Sequence, residues 1–164
     1  MDKLVSELLT LLREILAGQQ RLLNLALTRR DAMRAFDIDR LEAIALQERA
    51  AVQNLTALDQ RRAALVGQFK NLFGRHVEAN VSEIARRSSE PAKTQLLALA
   101  AEIKHAVEQV ERNTRINATV SETVVKGLAK VLKVVTGLAQ HAGLYMRNGR
   151  KAALHGIHLL EVTA

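Results

Sequence analysis

The N-terminal segment carries leucine and isoleucine at alternating steps of three and four residues. Such spacing gathers the apolar side chains on one face of an α-helix, because each turn of the helix takes 3.6 residues. We expect this helix to run from about residue 2 to residue 34, a length of roughly 50 Å at 1.5 Å per residue. The apolar row consists of Leu4, Leu8, Leu11, Ile15, Leu22 and Leu25.

A second helix is predicted over residues 37–73. Residues 36–39 form a short connection in which Asp37 or Asp39 can cap the free N–H groups of the helix. Gly74 is a suitable terminator. A short connection between two long helices favours an antiparallel hairpin. The apolar row of this helix is Ile38, Leu41, Ile44, Ala51, Leu55, Leu58, Leu65, Phe69 and Leu72.

A third long helix is predicted over residues 91–138, with room for a short helix at 77–87. Pro91 suits the first turn of the third helix, and a serine precedes it. The sequence therefore predicts an all-α protein. We expect an elongated antiparallel three-helix coiled-coil bundle over residues 1–138, followed by a partly flexible C-terminal tail at 139–164. The seam of the third helix consists of Leu96, Leu99, Ile103, Val107 and Val110.

Polar, uncharged residues then interrupt this seam, chiefly Asn113 and Asn117. A buried asparagine in a seam costs stability and fixes the register of the helices. An exposed one would mean that the helix has run past its neighbours. The spacing leaves both interpretations open.

Composition and charge narrow the classes of protein that fit. The chain has no cysteine, which excludes a disulfide framework and a zinc–cysteine site. Its N-terminus has the pattern of neither a signal peptide nor a transit peptide, and no apolar run is long enough for a membrane span. We expect a cytoplasmic protein. The net charge of +7 is concentrated in residues 123–164, which hold six basic side chains and one acidic side chain.

The sequence contains no arrangement of residues typical of catalysis. It lacks a phosphate-binding glycine loop, and its serines do not lie beside a plausible base. The best metal candidate is the set His155, His158 and Glu161, but ordinary solvated side chains explain that spacing better than a metal site. We predict that the protein is not an enzyme and has no cofactor, no metal site and no small-molecule substrate.

Residues 124–138 combine a broad apolar arc with three lysines, Lys126, Lys130 and Lys133, on one face. A protein-binding helix needs only the apolar arc. A membrane-surface helix would also fit, although aromatic anchors are missing. The lysines could contact nucleic-acid phosphates, although no aromatic platform for bases exists. Finally, the arc could be ordinary bundle core.

The order of these parts resembles the FlgN-type flagellar export chaperones, which are cytoplasmic partners of the hook-associated proteins. The resemblance spans nearly the whole chain. It rests first on the long N-terminal helix and on Asp39-x-Leu41 at the start of the second helix. A third feature is the stretch from Asn113 to Asn117, which leads into an apolar helix. The fourth feature is similar to the family's Leu-Tyr-Gly-x-x-Gly element and reads Leu144-Tyr145-Met146-Arg147-Asn148-Gly149.

The resemblance implies a function. Such chaperones hold the C-terminal helical region of an unassembled hook-associated protein, here called the client, prevent its premature assembly and deliver it to the export gate. Leu144, Tyr145 and Gly149 would then dock on the gate, although Tyr145 could instead clamp the chaperone itself. The expected client-binding residues are Val124, Val125, Leu128, Val131, Leu132, Val135 and Leu138.

Two features depart from the family pattern. Met146 stands where the family has glycine, and the chain is basic whereas secretion chaperones are often acidic. The alternative is therefore a basic coiled-coil protein that associates with nucleic acid or acts as an adaptor.

Overall fold

The structure, a computed structural model, describes residues 1–74 and 80–142, with side chains as far as residue 137. Within these residues the protein is all-α, as predicted. The helices are α1 (Asp2–Ala35), α2 (Ile38–Phe73), α3 (Val81–Arg86) and α4 (Glu90–Ala142). Backbone packing divides the chain into two units, Met1–Ser121 and Glu122–Ala164. The predicted tail lies outside the described residues from residue 143 onward.

Helices α1 and α2 pack against each other in opposite directions. Near the start of α1, Glu14 pairs with Arg61 at 3.5 Å, whereas near its end Arg29 pairs with Glu48 at 3.0 Å. Between these ion pairs the side chain of Leu55 on α2 packs against Gly18 on α1. A Cβ atom added there would lie only 2.6 Å from Cδ2 of Leu55, so glycine makes room for the leucine.

The turn between the two helices is fixed by backbone and side-chain caps. Phe36 adopts the left-handed conformation, with φ of 55° and ψ of 32°, and the N–H of Asp37 returns to the carbonyl oxygen of Ala32. This 6→1 hydrogen bond is the C-terminal motif that satisfies the last free carbonyls of a helix. The Asp37 carboxylate then accepts a hydrogen bond from the N–H of Arg40 at 3.0 Å. Of the two candidate caps, Asp37 is the one that caps α2.

In the first unit, α4 runs in the same direction as α1. Arg13 donates to the side chain of Gln95, and later along both helices the hydroxyl of Ser121 lies 3.1 Å from Sδ of Met33. A later residue of α1 thus contacts a later residue of α4, as is expected when two helices run in the same direction. Helix α2 therefore opposes both of the other long helices.

The main core lies at the end of the first unit where the start of α1 meets the end of α2, α3 and the start of α4. Its fully buried side chains are Leu8, Phe69, Ile84 and Leu96. Full burial of one such side chain contributes about 1.5–3 kcal/mol. A smaller cluster, Leu25, Ala32, Ile44 and Ala51, closes the other end of the α1–α2 hairpin.

The short helix α3 helps to cover the main core. Asn80 caps it by accepting a hydrogen bond from the N–H of Glu83 at 2.8 Å, and Ile84 and Ala85 point inward. The guanidinium of Arg87, just after α3, lies 4.5 Å from the centre of the Phe73 ring. This cation–π contact joins α3 to the end of α2.

Candidate protein-binding surface

The residues predicted to bind a client lie on α4 beyond the first unit, and most of them are exposed. Val125, Leu128, Val131, Leu132 and Val135 have exposed fractions between 54% and 64%. Val124 is half-buried, and the side chain of Leu138 lies outside the described part of the chain. Exposure of this degree means that the described residues do not use these side chains as core.

The helical geometry gathers these side chains into one face. At about 100° per residue, the residues from Val124 to Val135 form an apolar arc about 180° wide. A helix that faces a protein core usually has an apolar stripe of about 100° or more. The arc of α4 is therefore wide enough to contact more than one helix. We call it the exposed face; it consists of Val124, Val125, Leu128, Val131, Leu132, Val134 and Val135.

The predicted set omits Val134, which is 61% exposed. This residue lies at one edge of the exposed face and Val125 lies at the other. Val134 lies three residues after Val131 and four before Leu138, so the spacing of apolar residues in the sequence could have identified it.

The three lysines lie on the opposite half of the helix. Lys126, Lys130 and Lys133 are all exposed, and Nζ of Lys126 donates to Glu122 at 2.6 Å. An exposed pair of this kind contributes little to stability. Lys126 and Lys133 lie well away from the exposed face, whereas Lys130 lies four residues before Val134 and borders one edge of it.

A buried polar cluster joins α4 to α1 within the first unit. Asn113 and Asn117 are 8% and 5% exposed, so the buried interpretation of these asparagines is the one that the structure supports. The guanidinium of Arg30 donates to Oδ1 of Asn113 at 2.6 Å and to Oδ1 of Asn117 at 3.2 Å. Nδ2 of Asn117 in turn donates to the carbonyl oxygen of Ala26 at 2.7 Å. The cluster fixes α4 against α1 in one register.

A groove of about 350 Å³ lies beside this cluster, between α1, α2 and α4. Its lining includes the ion pair of Arg29 and Glu48, together with Asn117 and Ser121. Nε of Arg29 is buried and has no hydrogen-bond partner among the described residues. The groove is shallow and its charged groups already pair with each other, so it does not suggest a catalytic centre.

One carboxylate has a clearly shifted pKa. Hydrogen bonds from Arg86, and then from Arg87, lower the pKa of the Glu83 carboxyl from its ordinary 4.5 to about 2. All three residues lie on or directly after α3, and their contacts span three or four residues. This cluster stabilises a short helix and does not form part of a catalytic pair.

The described residues contain no group of three His, Asp or Glu side chains that could hold a metal ion. None of the described helices is both long enough and apolar enough to cross a membrane. The metal candidate His155, His158 and Glu161 lies outside the described residues, as do the predicted gate-docking residues Leu144, Tyr145 and Gly149.

Comparison with known proteins gives one match. A family model described as FlgN protein matches residues 1–153. The match therefore includes the four helices, the exposed face and the segment that holds Tyr145. No curated protein and no solved structure matches the chain.

Proposed function

The chain belongs to the FlgN family of flagellar export chaperones, and from this premise we propose that it binds the C-terminal helical region of hook-associated proteins in the cytoplasm. Bound in this way, a client cannot assemble prematurely and can be delivered to the export gate. The observation that carries the proposal is the exposed face of α4. Monomeric proteins rarely leave large contiguous apolar patches in water unless a partner covers them.

The binding mode follows from the chemistry of this face. It is wide, apolar and helical, and the described charges lie on the opposite half of α4. An amphipathic client helix would bury its own apolar residues against Leu128, Val131 and Leu132, with side chains at three- and four-residue steps. The client surface that is covered in this way could no longer contact other copies of the client.

The first unit precedes the exposed face along the chain. We propose that its three long helices form one antiparallel coiled-coil bundle. The opposed ion pairs of α1 and α2 and the Arg30 cluster between α1 and α4 support this arrangement.

The proposed test is calorimetric titration of the full chain with purified hook-associated proteins, together with Val131→Asp. A charge in the centre of the exposed face should weaken client binding by at least about thirtyfold, the effect of a change of about 2 kcal/mol at a hot spot. The matched control is Leu46→Asp on α2, where the native leucine is also 65% exposed. Circular dichroism should show unchanged helicity in both variants. Equal binding by the wild type and Val131→Asp would refute this use of the face.

The alternative is a nucleic-acid partner, and one observation favours it: three lysines are aligned on one exposed side of α4. Under this alternative, Gln at positions 126, 130 and 133 would lower affinity for duplex or single-stranded DNA and reduce the dependence of binding on salt. The same triple variant should retain client binding under the chaperone proposal. Absence of DNA binding by the wild type at low salt would eliminate the alternative.

Leu144, Tyr145 and Gly149 are proposed to dock the loaded chaperone on the export gate. The support for this role is their similarity to the family's tail element. The family match, which extends to residue 153, includes all three positions.

A further inference from the structure

The central row of the exposed face has a spacing that is the same in both chain directions. The row consists of Val124, Leu128, Val131 and Val135, at steps of four, three and four residues. If two copies lie antiparallel, with a two-fold axis between positions 128 and 131, Val124 of one copy meets Val135 of the other. In the same arrangement Leu128 meets Val131. Every residue of the row then lies opposite an apolar residue of the second copy, at the same height along the paired helices.

We propose that in the absence of client the chain associates with a second copy of itself through this row, as an antiparallel pair of α4 segments. The contact is isologous and closes after two copies, because the same patch is used on both sides. This inference rests on the proposed function in one respect: the second copy covers the face that a client would occupy. Self-association would therefore protect the face until a client displaces the second copy.

The charge distribution suits a second copy. Each chain carries a net charge of +7, so a shared surface with lysines at its border would repel its own copy. The residues that border the central row are instead Val125, Leu132 and Val134, which are apolar and exposed. The lysines remain on the solvent side of both helices. Two like-charged chains can thus meet without bringing like charges together at the contact.

The first unit already contains a contact of the required kind. There the three- and four-residue row of α4 packs against the other helices of the same unit, with Leu96 and Ala106 buried and Leu99 and Ile103 half-buried. Apolar side chains of α4 at this spacing are thus compatible with packing against a helix of this chain. The row from Val124 to Val135 has the same spacing, and its members Leu128, Val131 and Val135 are exposed, whereas Val124 is half-buried.

The size of the contact predicts that it is weak. Residues 122–137 make a helical segment about 24 Å long and about 10 Å wide. A single helix of this length presents less surface than the roughly 800 Å² per partner of a standard stable interface. We expect a dimer that dissociates on dilution and that a client of higher affinity can displace.

Cysteine cross-linking tests both the partner and its direction, because the natural chain contains no cysteine. The two single variants are Val124→Cys and Val135→Cys. In the antiparallel pair these positions lie at the same level, so a mixture of the two variants should form a disulfide-linked dimer on mild oxidation. Either variant alone should not, because its two copies would lie about 16 Å apart along the helices. A disulfide requires Cα atoms within roughly 7 Å.

Sedimentation of the unmodified chain over a range of concentrations gives an independent measurement. Val131→Asp should raise the dissociation constant of the dimer at least tenfold, whereas Leu46→Asp should leave it unchanged. Cross-linking of Val124→Cys alone as fast as in the mixture would indicate a parallel pair and overturn the proposal. A monomer at every concentration, or a dimer insensitive to Val131→Asp, would also overturn it.

These experiments distinguish a failure of the self-association proposal from a failure of the chaperone proposal. Normal client binding without any cross-link in the mixture would refute self-association and leave the chaperone proposal intact. The expected cross-link without binding of any hook-associated protein would support self-association and refute the chaperone proposal. If both hold, addition of client should reduce the yield of cross-linked dimer in proportion to the amount bound.

Discussion

Nη2 of Arg30 donates a hydrogen bond of 2.6 Å to Oδ1 of Asn113, and this contact joins α1 to α4 across 83 positions of the sequence. Nε of the same side chain donates to Asn117. The cluster satisfies buried polar atoms where α1 packs against α4 in the first unit. A polar layer of this kind usually fixes register at some cost in stability.

The first prediction concerns this cluster. Arg30→Met should lower the free energy of unfolding by about 1–3 kcal/mol, because it leaves the Oδ1 atoms of Asn113 and Asn117 buried without their donor. Asn117→Leu alone should also destabilise, since the guanidinium and the carbonyl oxygen of Ala26 each lose a partner. The double variant should be more stable than the sum of the two effects predicts. Urea unfolding of all four proteins measures this coupling, and strictly additive effects would contradict it.

The second prediction compares two glycines within helices. Gly67→Ala should raise the free energy of unfolding by about 0.5–1 kcal/mol, because alanine favours helix and no atom lies within 4 Å of the added Cβ. Gly18→Ala should instead lower it by about 1 kcal/mol, because the added carbon overlaps with Leu55. Thermal unfolding of both variants shows whether each substitution raises or lowers the free energy of unfolding.

Leu55→Ala provides the control for this comparison. In the Leu55→Ala background the added carbon at position 18 has space, so Gly18→Ala should lose its penalty. A stabilising effect of Gly18→Ala in the natural chain would show that the side chain of Leu55 does not fill the space beside Gly18 as described.

The sequence predicts the helices well because three- and four-residue spacing reflects local helical geometry. It does not predict the role of Arg30. A long basic side chain near the end of α1 fits a solvated surface equally well, and only the arrangement of α1 against α4 turns it inward. Similarly, Asp37 and Asp39 have the same capping chemistry, and the course of the backbone after Phe36 decides between them. The exposed face could be recognised as apolar from the sequence, but its exposure depends on which residues the other helices cover.

The third prediction concerns Glu83. Because Arg86 and Arg87 lower the pKa of its carboxyl to about 2 in the folded chain, this group should remain ionised through the range in which free glutamates titrate. The sign follows from linkage: a carboxyl with a lowered pKa in the folded state stabilises the protein above its unfolded pKa, near 4.5, and loses that contribution as the pH falls toward 2. A carboxyl-detected NMR titration should give a midpoint near 2 for Glu83.

Glu83→Gln is the control for this titration. The variant should be less stable than the natural chain at neutral pH, and the difference should shrink as the pH approaches 2. A midpoint near 4.5 for Glu83, or a stability difference independent of pH, would show that the two arginines do not hold the carboxylate as described.

The fourth prediction concerns Tyr145, the one tyrosine in the chain. If this residue docks on the export gate, Tyr145→Ala should leave the affinity for a hook-associated protein within about twofold, since the exposed face of α4 is unchanged. Delivery should nevertheless fall, because an aromatic side chain that buries its ring in a docking site contributes much of the binding energy there. The measurement is the amount of client exported by cells that carry the variant.

Tyr145→Phe is the control, because it keeps the ring, and it should retain more export than Tyr145→Ala. Loss of client binding in Tyr145→Ala would instead assign Tyr145 to a clamp on the chaperone itself.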